Sequence, residues 1–532
     1  MRCSMALLLA IVCPLVCRAE DQWVGKRVFV KLDAEAKFSG KVLDVSNIPF
    51  PATVTLVNED QLTLGGIDVR KSDVMTAEEA SKYYSDLIRQ TPTKESLWIS
   101  HGIICQELGD LDQALKDFTE AIRLKPNDPT GHVWRANVWF AKGKFDEAIG
   151  DQTEAIKHNP KVAYTYLARA AAWHQKRDFD HAIKDYTEAI KLEPRNAHAY
   201  SGRAVAWQAK GELDAAIKDH SDAIAIEPLN ADSHIRRGSA RLEKGDYDHA
   251  IADYNIAIRI NPNVAIVYYN RGNAWGHKND FDRAIKDFTE AIRLDPKFAH
   301  AYTARGTAWT HKGDQDQALK DYTETILLDP QDADAFVKRG NIWNSKGDFD
   351  DAMKDYNEAI RLDPKNAFYH YNRGITWTSK GRFDEAIKDQ SDAIRLDPRL
   401  EHSYIARGYA WQSKGDFENA LHDYYEATKI NPKDEMAHNN IAWLKATCPV
   451  HRFRNGKDAI KHATTACELT TWKSYHDLGT LAAAYAEVGD FSNAVKWEEK
   501  ALELAPAHEK TEEAHRIELY RAHRPYRETL QK

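Results

Sequence analysis

The chain has 532 residues, 43% of them hydrophobic and 29% charged, which is the composition of a folded protein and not of a disordered or membrane-embedded one. Its net charge of −8 comes from interleaved signs. No basic stripe is available for a phosphate backbone, so nucleic acid is excluded as a partner. Cys3, Cys13 and Cys17 lie near the start, and Cys105, Cys448 and Cys467 are scattered without a CxxC pair. That pattern is neither a disulfide framework nor a zinc site.

Residues 1–19 have the layout of an export signal: Arg2, an apolar run from Ala6 to Val16, then small residues Cys17 and Ala19 before Glu20. The expectation is an exported protein of the periplasm, cell envelope or extracellular space, with no membrane span in the mature chain. Cleavage and retention as an anchor both fit the segment. Residues 20–75 change character. RVFVK (27–31), KVLDV (41–45), TVTLV (53–57), QLTL (61–64) and IDVR (67–70) are short β-branched runs broken by Gly and Pro, as in a small barrel. The opening WVGKRVFVK and closing VRKSDVM resemble bacterial SH3-like modules. Two roles fit this all-β module: a cap on the downstream helices, or a binder of cell-wall polymer.

Residues 76–94 supply one helix in the downstream register. Ala80, Tyr84 and Pro92 fall 34 residues before Ala114, Phe118 and Pro126. This is the second helix of a repeat whose first helix is replaced by the β module. Residues 95–434 then form ten 34-residue units without insertion or deletion. Such a period is the mark of a solenoid, whose units bury their apolar faces on one another. An alanine (Ala114 through Ala420) and a closing proline (Pro126 through Pro432) recur in every unit, and Gly or Ala (Gly102 through Gly408) fills the close-packing place of the first helix. Glycine between the helices suits a left-handed cap, a place that Arg177 and Asn279 each take once.

These recurrences resemble the tetratricopeptide repeat family. The resemblance implies a mostly α fold, a right-handed superhelical α-solenoid of antiparallel helix pairs whose first helices line a concave groove. Two features depart from the family pattern. Trp fills the large apolar place of the first helix in eight units, Trp139 to Trp411, and is expected to be inter-helix core. Arg precedes the small residue in nine units, from Arg135 to Arg407, and Asp recurs in the second helix from Asp117 to Asp423. A half-buried guanidinium needs a partner, so a ladder of Arg–Asp pairs is predicted.

Residues 435–474 read as an expanded eleventh unit and 475–508 as a twelfth. Residues 509–532 read as a polar capping helix followed by a frayed tail. There is no phosphate loop, HExxH or GxSxG, so an enzyme is not expected, nor a cofactor or metal. By the family resemblance, the groove is lined by Asn137, Gln208, Tyr269, Asn270, Asn273, Thr303, Thr307, Thr310, Asn341, Asn344, Tyr371, Asn372, Thr378, Tyr409 and Gln412. Amides, hydroxyls and rings suit an extended peptide backbone and its apolar side chains. Lys and Arg are nearly absent from these places, which sets the chain apart from the basic clamp of chaperone-binding members. The expected function is a non-enzymatic scaffold for proteins or peptides. The alternative is an envelope tether, in which the β module grips wall polymer and the array is a spacer. Neither the partner nor the oligomeric state is encoded in a recognisable motif.

Overall fold

The structure, a computed structural model, describes residues 27–31, 36–38, 41–43, 52–57, 61–64, 67–70 and 73–528. The signal-like segment 1–19 lies outside them. Two compact units divide the chain, residues 1–262 and 263–532.

The first unit begins with strands β1 (Arg27–Val30), β2 (Ala36–Phe38), β3 (Lys41–Leu43), β4 (Ala52–Val57), β5 (Gln61–Leu64), β6 (Ile67–Arg70) and β7 (Val74–Met75). All pairs are antiparallel, in the order β3-β2-β6-β5-β4-β1-β7. The five expected runs all contain strands. β2 and β7 are additional, and at three and two residues they are too short for alternation to show. Phe29 and Met75 pack with Ala80, Tyr84 and Ile88 of α1 (Ala77–Gln90) and with Leu97 and Ile104 of α2 (Glu95–Glu107). Strands β1 and β7 thus pack on α1 and α2 through Phe29 and Met75. Thr76 and Glu79 close the start of α1 as a reciprocal capping box.

From α2 onward, antiparallel pairs succeed one another. In the first unit they run from α2 and α3 (Leu111–Leu124) to α10 (Ala231–Lys244) and α11 (Tyr247–Ile260). In the second they run from α12 (Ala265–His277) and α13 (Phe281–Leu294) to α24 (Tyr475–Glu487) and α25 (Phe491–Leu504), closed by α26 (Lys510–Arg521). The turn between helices of a pair holds one left-handed residue, such as Gly211 at φ 80° and Gly313 at φ 81°. Arg177 (φ 63°) and Asn279 (φ 59°) adopt the same conformation, as their places predict. Asp110, Asp178, Asp280, Asp314 and Asp416 then accept from a backbone N–H in the first turn of the second helix.

The small residue of the first helix is explained by a ring. A Cβ built on Gly272 would lie 2.6 Å from the Phe288 ring, and one on Gly306 would lie 2.9 Å from that of Tyr322. Where the small residue is Ala136 or Ala204, the opposing residue is Gln152 or His220, slimmer than tyrosine. Ala170 faces Tyr186, whose ring leans instead against Gly202, where a Cβ would approach within 2.5 Å. Volume is thus traded between two places 16 residues apart, as close-packed interiors require. The tryptophans are half-buried members of the clusters between helices, as expected: Trp173 and Trp207 in the first unit, Trp309 and Trp343 in the second. Lys176, Lys210 and Lys312 lie over the rings of Trp173, Trp207 and Trp309 at 5.5–5.8 Å, and Lys414 lies over that of Trp411 at 5.9 Å.

Two C-terminal expectations are corrected. The capping helix α26 is not simply polar: it buries Ile517 and Tyr520, and its Arg516 joins Glu513 to Glu498, a carboxyl with no exposure. The tail does not fray through residue 528, where it docks on the preceding repeats. Cys448 and Cys467 lie in different elements. Cys448 ends α22 (Glu435–Thr447), a short turn intervenes, and Cys467 lies in α23 (Gly456–Leu469). Both are free and buried. No helix among the described residues is long and apolar enough to cross a membrane.

Candidate functional site

The first helix of each unit divides its labour between two faces, and charge accounts for the division. The predicted Arg–Asp ladder forms in all nine units that carry the arginine. In the seventh, Arg305 Nε and Nη2 donate to the two oxygens of Asp321 at 2.9 and 2.7 Å. The same fork joins Arg135 to Asp151, Arg169 to Asp185 and Arg203 to Asp219 in the first unit. In the second it joins Arg339 to Asp355, Arg373 to Asp389 and Arg407 to Asp423, with Arg237–Asp253 and Arg271–Asp287 completing the set. A third donor reaches the preceding repeat: Arg305 Nη1 donates to Thr289 Oγ1 at 3.0 Å, and Arg169 Nη1 to Thr153 Oγ1 at 3.0 Å. Each guanidinium therefore ties its own two helices together, and Arg169 and Arg305 also stitch theirs to the helix before. Sequence reading anticipated the fork but not the stitch, whose signal was a Thr, Ser or Asn directly two places after Asp.

The first complete repeat has His101 where the others have Arg, and its Nδ1 lies 2.7 Å from Asp117. Cys105 Sγ is 3.9 Å from both ring nitrogens of His101, and Nε2 already meets the Ser81 and Ser85 hydroxyls at 3.2 and 3.0 Å. Burial and the Asp117 carboxylate push the Cys105 thiol up to about 12. His101, Cys105 and Asp117 thus form a buried polar contact in which both imidazole nitrogens have partners within the protein. His370, Asp389 and Asp392 also lie close together, but Arg373 already occupies both oxygens of Asp389.

Three carboxyls of the ladder, those of Asp151, Asp355 and Asp389, sit between opposed effects. Burial raises them and the guanidinium lowers them. At Asp151, which His132 also faces, and at Asp389, which His370 faces, the net direction is down. Asp355 has Phe336 in that place, and burial carries it upward.

A second ladder escaped the sequence reading. Lys142 pairs with Asp112 at 3.0 Å and Lys346 with Asp316 at 2.8 Å, each lysine reaching the preceding repeat across 30 residues. Lys176–Asp146, Lys210–Asp180 and Lys244–Asp214 repeat it in the first unit, and Lys312–Asp282, Lys380–Asp350 and Lys414–Asp384 in the second. These aspartates are largely exposed, so the pairs set register more than they stabilise.

With its charges paired, the chain leaves uncharged groups on the face predicted to bind. The structure gives many of them an inward duty. Thr307 and Thr310 Oγ1 lie 3.2 and 3.4 Å from the Tyr322 hydroxyl. Tyr356 donates to Asn341 at 2.7 Å, and Tyr424 to Gln412 at 3.0 Å. The tyrosine ring passes the small residue of the first helix, so its hydroxyl emerges at these places. Thr303 meets Thr325 at 3.0 Å, Asn344 accepts from Thr376 at 2.9 Å, and Thr378 donates to its own helix backbone. In the first unit, Gln208 donates to Glu243 at 2.8 Å and Asn137 accepts from Tyr164 at 3.2 Å. Phe288 has no hydroxyl to satisfy; Tyr269 packs on its ring at 5.9 Å, and Asn270 and Asn273 of the same helix as Tyr269 are half-exposed. Tyr371 and Asn372 are half-exposed as well, and Tyr409 is 51% exposed.

Among known proteins, a TPR repeat family matches residues 238–276 and 340–376. Three tetratricopeptide repeat families match residues 265–298, residues 102–163 with 175–231, and residues 401–434 with 478–508. No curated protein matches the chain. Yeast Tom70 is similar at 20% identity over 80% of this chain and 96% of its own, with a TM-score of 0.38. YrrB, a TPR protein with an unusual peptide-binding site, is similar at 23% identity over 35% of this chain and 95% of its own, with a TM-score of 0.31. A tetratricopeptide repeat protein from Parabacteroides merdae is similar at 17% identity over 47% of this chain and 98% of its own, with a TM-score of 0.39. The helical array of this chain is built of tetratricopeptide repeats.

Proposed function

We propose that the chain is a non-enzymatic scaffold that holds extended segments of other proteins on the first-helix faces of its repeats. One observation carries this reading. Nearly every guanidinium of the first helices is consumed in an internal fork, while the amides and rings of Tyr269, Asn270, Asn273, Tyr371, Asn372 and Tyr409 remain half-exposed or exposed. Such a surface offers hydrogen bonds to a peptide backbone and contact area to its side chains without selecting by charge. Export by residues 1–19 and the SH3-like character of the β module belong to the same proposal. The burial of Phe29 and Met75 against α1 supports a capping role for that module over a wall-binding tether.

The test is photo-crosslinking in the native host. A photoreactive residue replaces Asn273 or Tyr371, with Lys286 of the opposite helix as control. Discrete protein adducts at the first two positions, mapped to peptide segments, are the expected result. Equal adducts at all three positions, or none, would remove the binding face. Sedimentation of the full chain with purified wall material distinguishes the tether.

A further inference from the structure

We propose that the C-terminal tail is a resident ligand of repeats ten to twelve, covering a site for an extended segment that presents an aromatic residue, a basic residue and a carboxylate in succession. The inference rests on the scaffold reading above and assigns one of its surfaces a ligand chemistry and a gate.

The covering segment has a defined start. Helix α26 ends at Arg521, His523 turns left-handed at φ 56°, and Arg524 N–H donates to Leu519 O at 2.9 Å. Residues 524–528 then run without helix or strand. They do not stay at the end of the array. They pass onto α20 (Glu401–Ser413) and α22, the first helices of the tenth and eleventh repeats.

Each of three residues is read separately. The Tyr526 ring packs at 5.7 Å from that of Trp443. The Arg527 guanidinium donates to Ala446 O at 3.2 Å and pairs with Glu487 of α24. The Glu528 carboxylate is held by two donors, Gln412 Nε2 and Trp443 Nε1, each at 3.3 Å, and its backbone N–H donates to Thr447 O at 3.0 Å. Gln412 was selected from the sequence as a groove residue, and here it touches a chain segment.

The receiving groups are held by others, so the site exists without the tail. Tyr424, fully buried, donates to Gln412 Oε1 and thereby fixes which end of the amide faces Glu528. Arg454 donates to Glu487 at 3.1 Å. Closing the array does not require these contacts, because α26 already buries Ile517 and Tyr520 against it. A tethered segment competes at an effective concentration of roughly millimolar for a short linker, so a free segment of the same chemistry must displace it.

The probe is a fluorescent peptide of residues 522–532, AHRPYRETLQK, followed by anisotropy. It is offered to the full chain and to the full chain carrying Arg527→Ala with Glu528→Ala. The variant is expected to bind at least ~10-fold more tightly than the native chain, and adding Gln412→Ala with Trp443→Phe is expected to abolish that gain. Equal binding by native and doubly substituted chains, or none by the latter, would overturn the proposal. Hydrogen exchange supplies a measurement that needs no substitution. The Glu528 amide is expected to exchange at least ~10-fold more slowly than in the free peptide, and exchange at the free-peptide rate would also overturn it. Adducts at Asn273 are unaffected by either failure, so the general scaffold reading is tested apart from this site.

Discussion

The internal Arg–Asp fork gives the sharpest prediction. Asp321→Ala removes a carboxylate that is 4% exposed and accepts two charge-assisted bonds from Arg305. Breaking a fully buried ion pair costs about 3–5 kcal/mol, because one charge is left without a partner. The Arg305 side chain retains 19% exposure and its bond to Thr289, so water recovers part of the loss, and about 2–3 kcal/mol is expected. Replacing both partners by apolar residues, Arg305→Met with Asp321→Leu, leaves no orphaned charge. It should cost no more than about 1 kcal/mol. A long array does not unfold as a single two-state body. The assay is therefore native-state hydrogen exchange at amides of α15 (Gln315–Leu328), where 2–3 kcal/mol is a loss of protection of about 30–150-fold. If Asp321→Ala shifts that protection by less than about 0.5 kcal/mol, or if the double substitution costs as much as the sum of the singles, the fork is not what couples the two helices.

Three further outcomes concern single places. Gly272→Ala puts a Cβ 2.6 Å from the Phe288 ring and should cost about 1–3 kcal/mol by overpacking; adding Phe288→Gln, the arrangement of Ala136 and Gln152, should restore most of it in the same exchange assay. Arg177→Gly relieves a left-handed arginine and should stabilise its helix pair by about 0.5–1 kcal/mol, whereas a loss in thermal melting would mean that the arginine side chain holds a contact worth more than the strain. His220 is fully buried, and burial, with Arg236 and Arg237 nearby, brings its pKa down to about 4. The unfolded chain then binds the extra proton between pH 6.5 and 4, so stability is present above pH 6.5 and is lost as pH falls through that window, by up to about 3 kcal/mol. Exchange of α9 amides (Leu213–Ile226), corrected for intrinsic rates, should accelerate on acidification in the native chain and much less in His220→Gln.

Periodicity made most of the architecture legible. The 34-residue register, the left-handed turn residues and the closing proline are local consequences of backbone geometry, so they can be read one unit at a time. The fork was legible because a charge recurring on a half-buried face has to be neutralised from a fixed place. The binding face was legible only in part. Thr307, Thr310, Asn341 and Gln412 look alike as polar residues on one helix face. What separates inward duty from outward availability is whether the residue opposite the small place is Tyr322, Tyr356 or Tyr424, whose hydroxyl must be satisfied, or Phe288, which has none.

The sequence by itself determined the repeat, its helix pairs and the residues that neutralise one another within a unit, because all of these act over at most one period. Only the tertiary structure decided the links between units and the fate of the tail. The stitch from Arg305 to Thr289 and the lysine pairs across 30 residues need neighbouring repeats to be stacked. The contact between Glu528 and Gln412 joins residues 116 apart in the chain. No local pattern encodes that distance; it is set by the packing of α26 and by which donors on the tenth and eleventh repeats the segment meets when it leaves the helix.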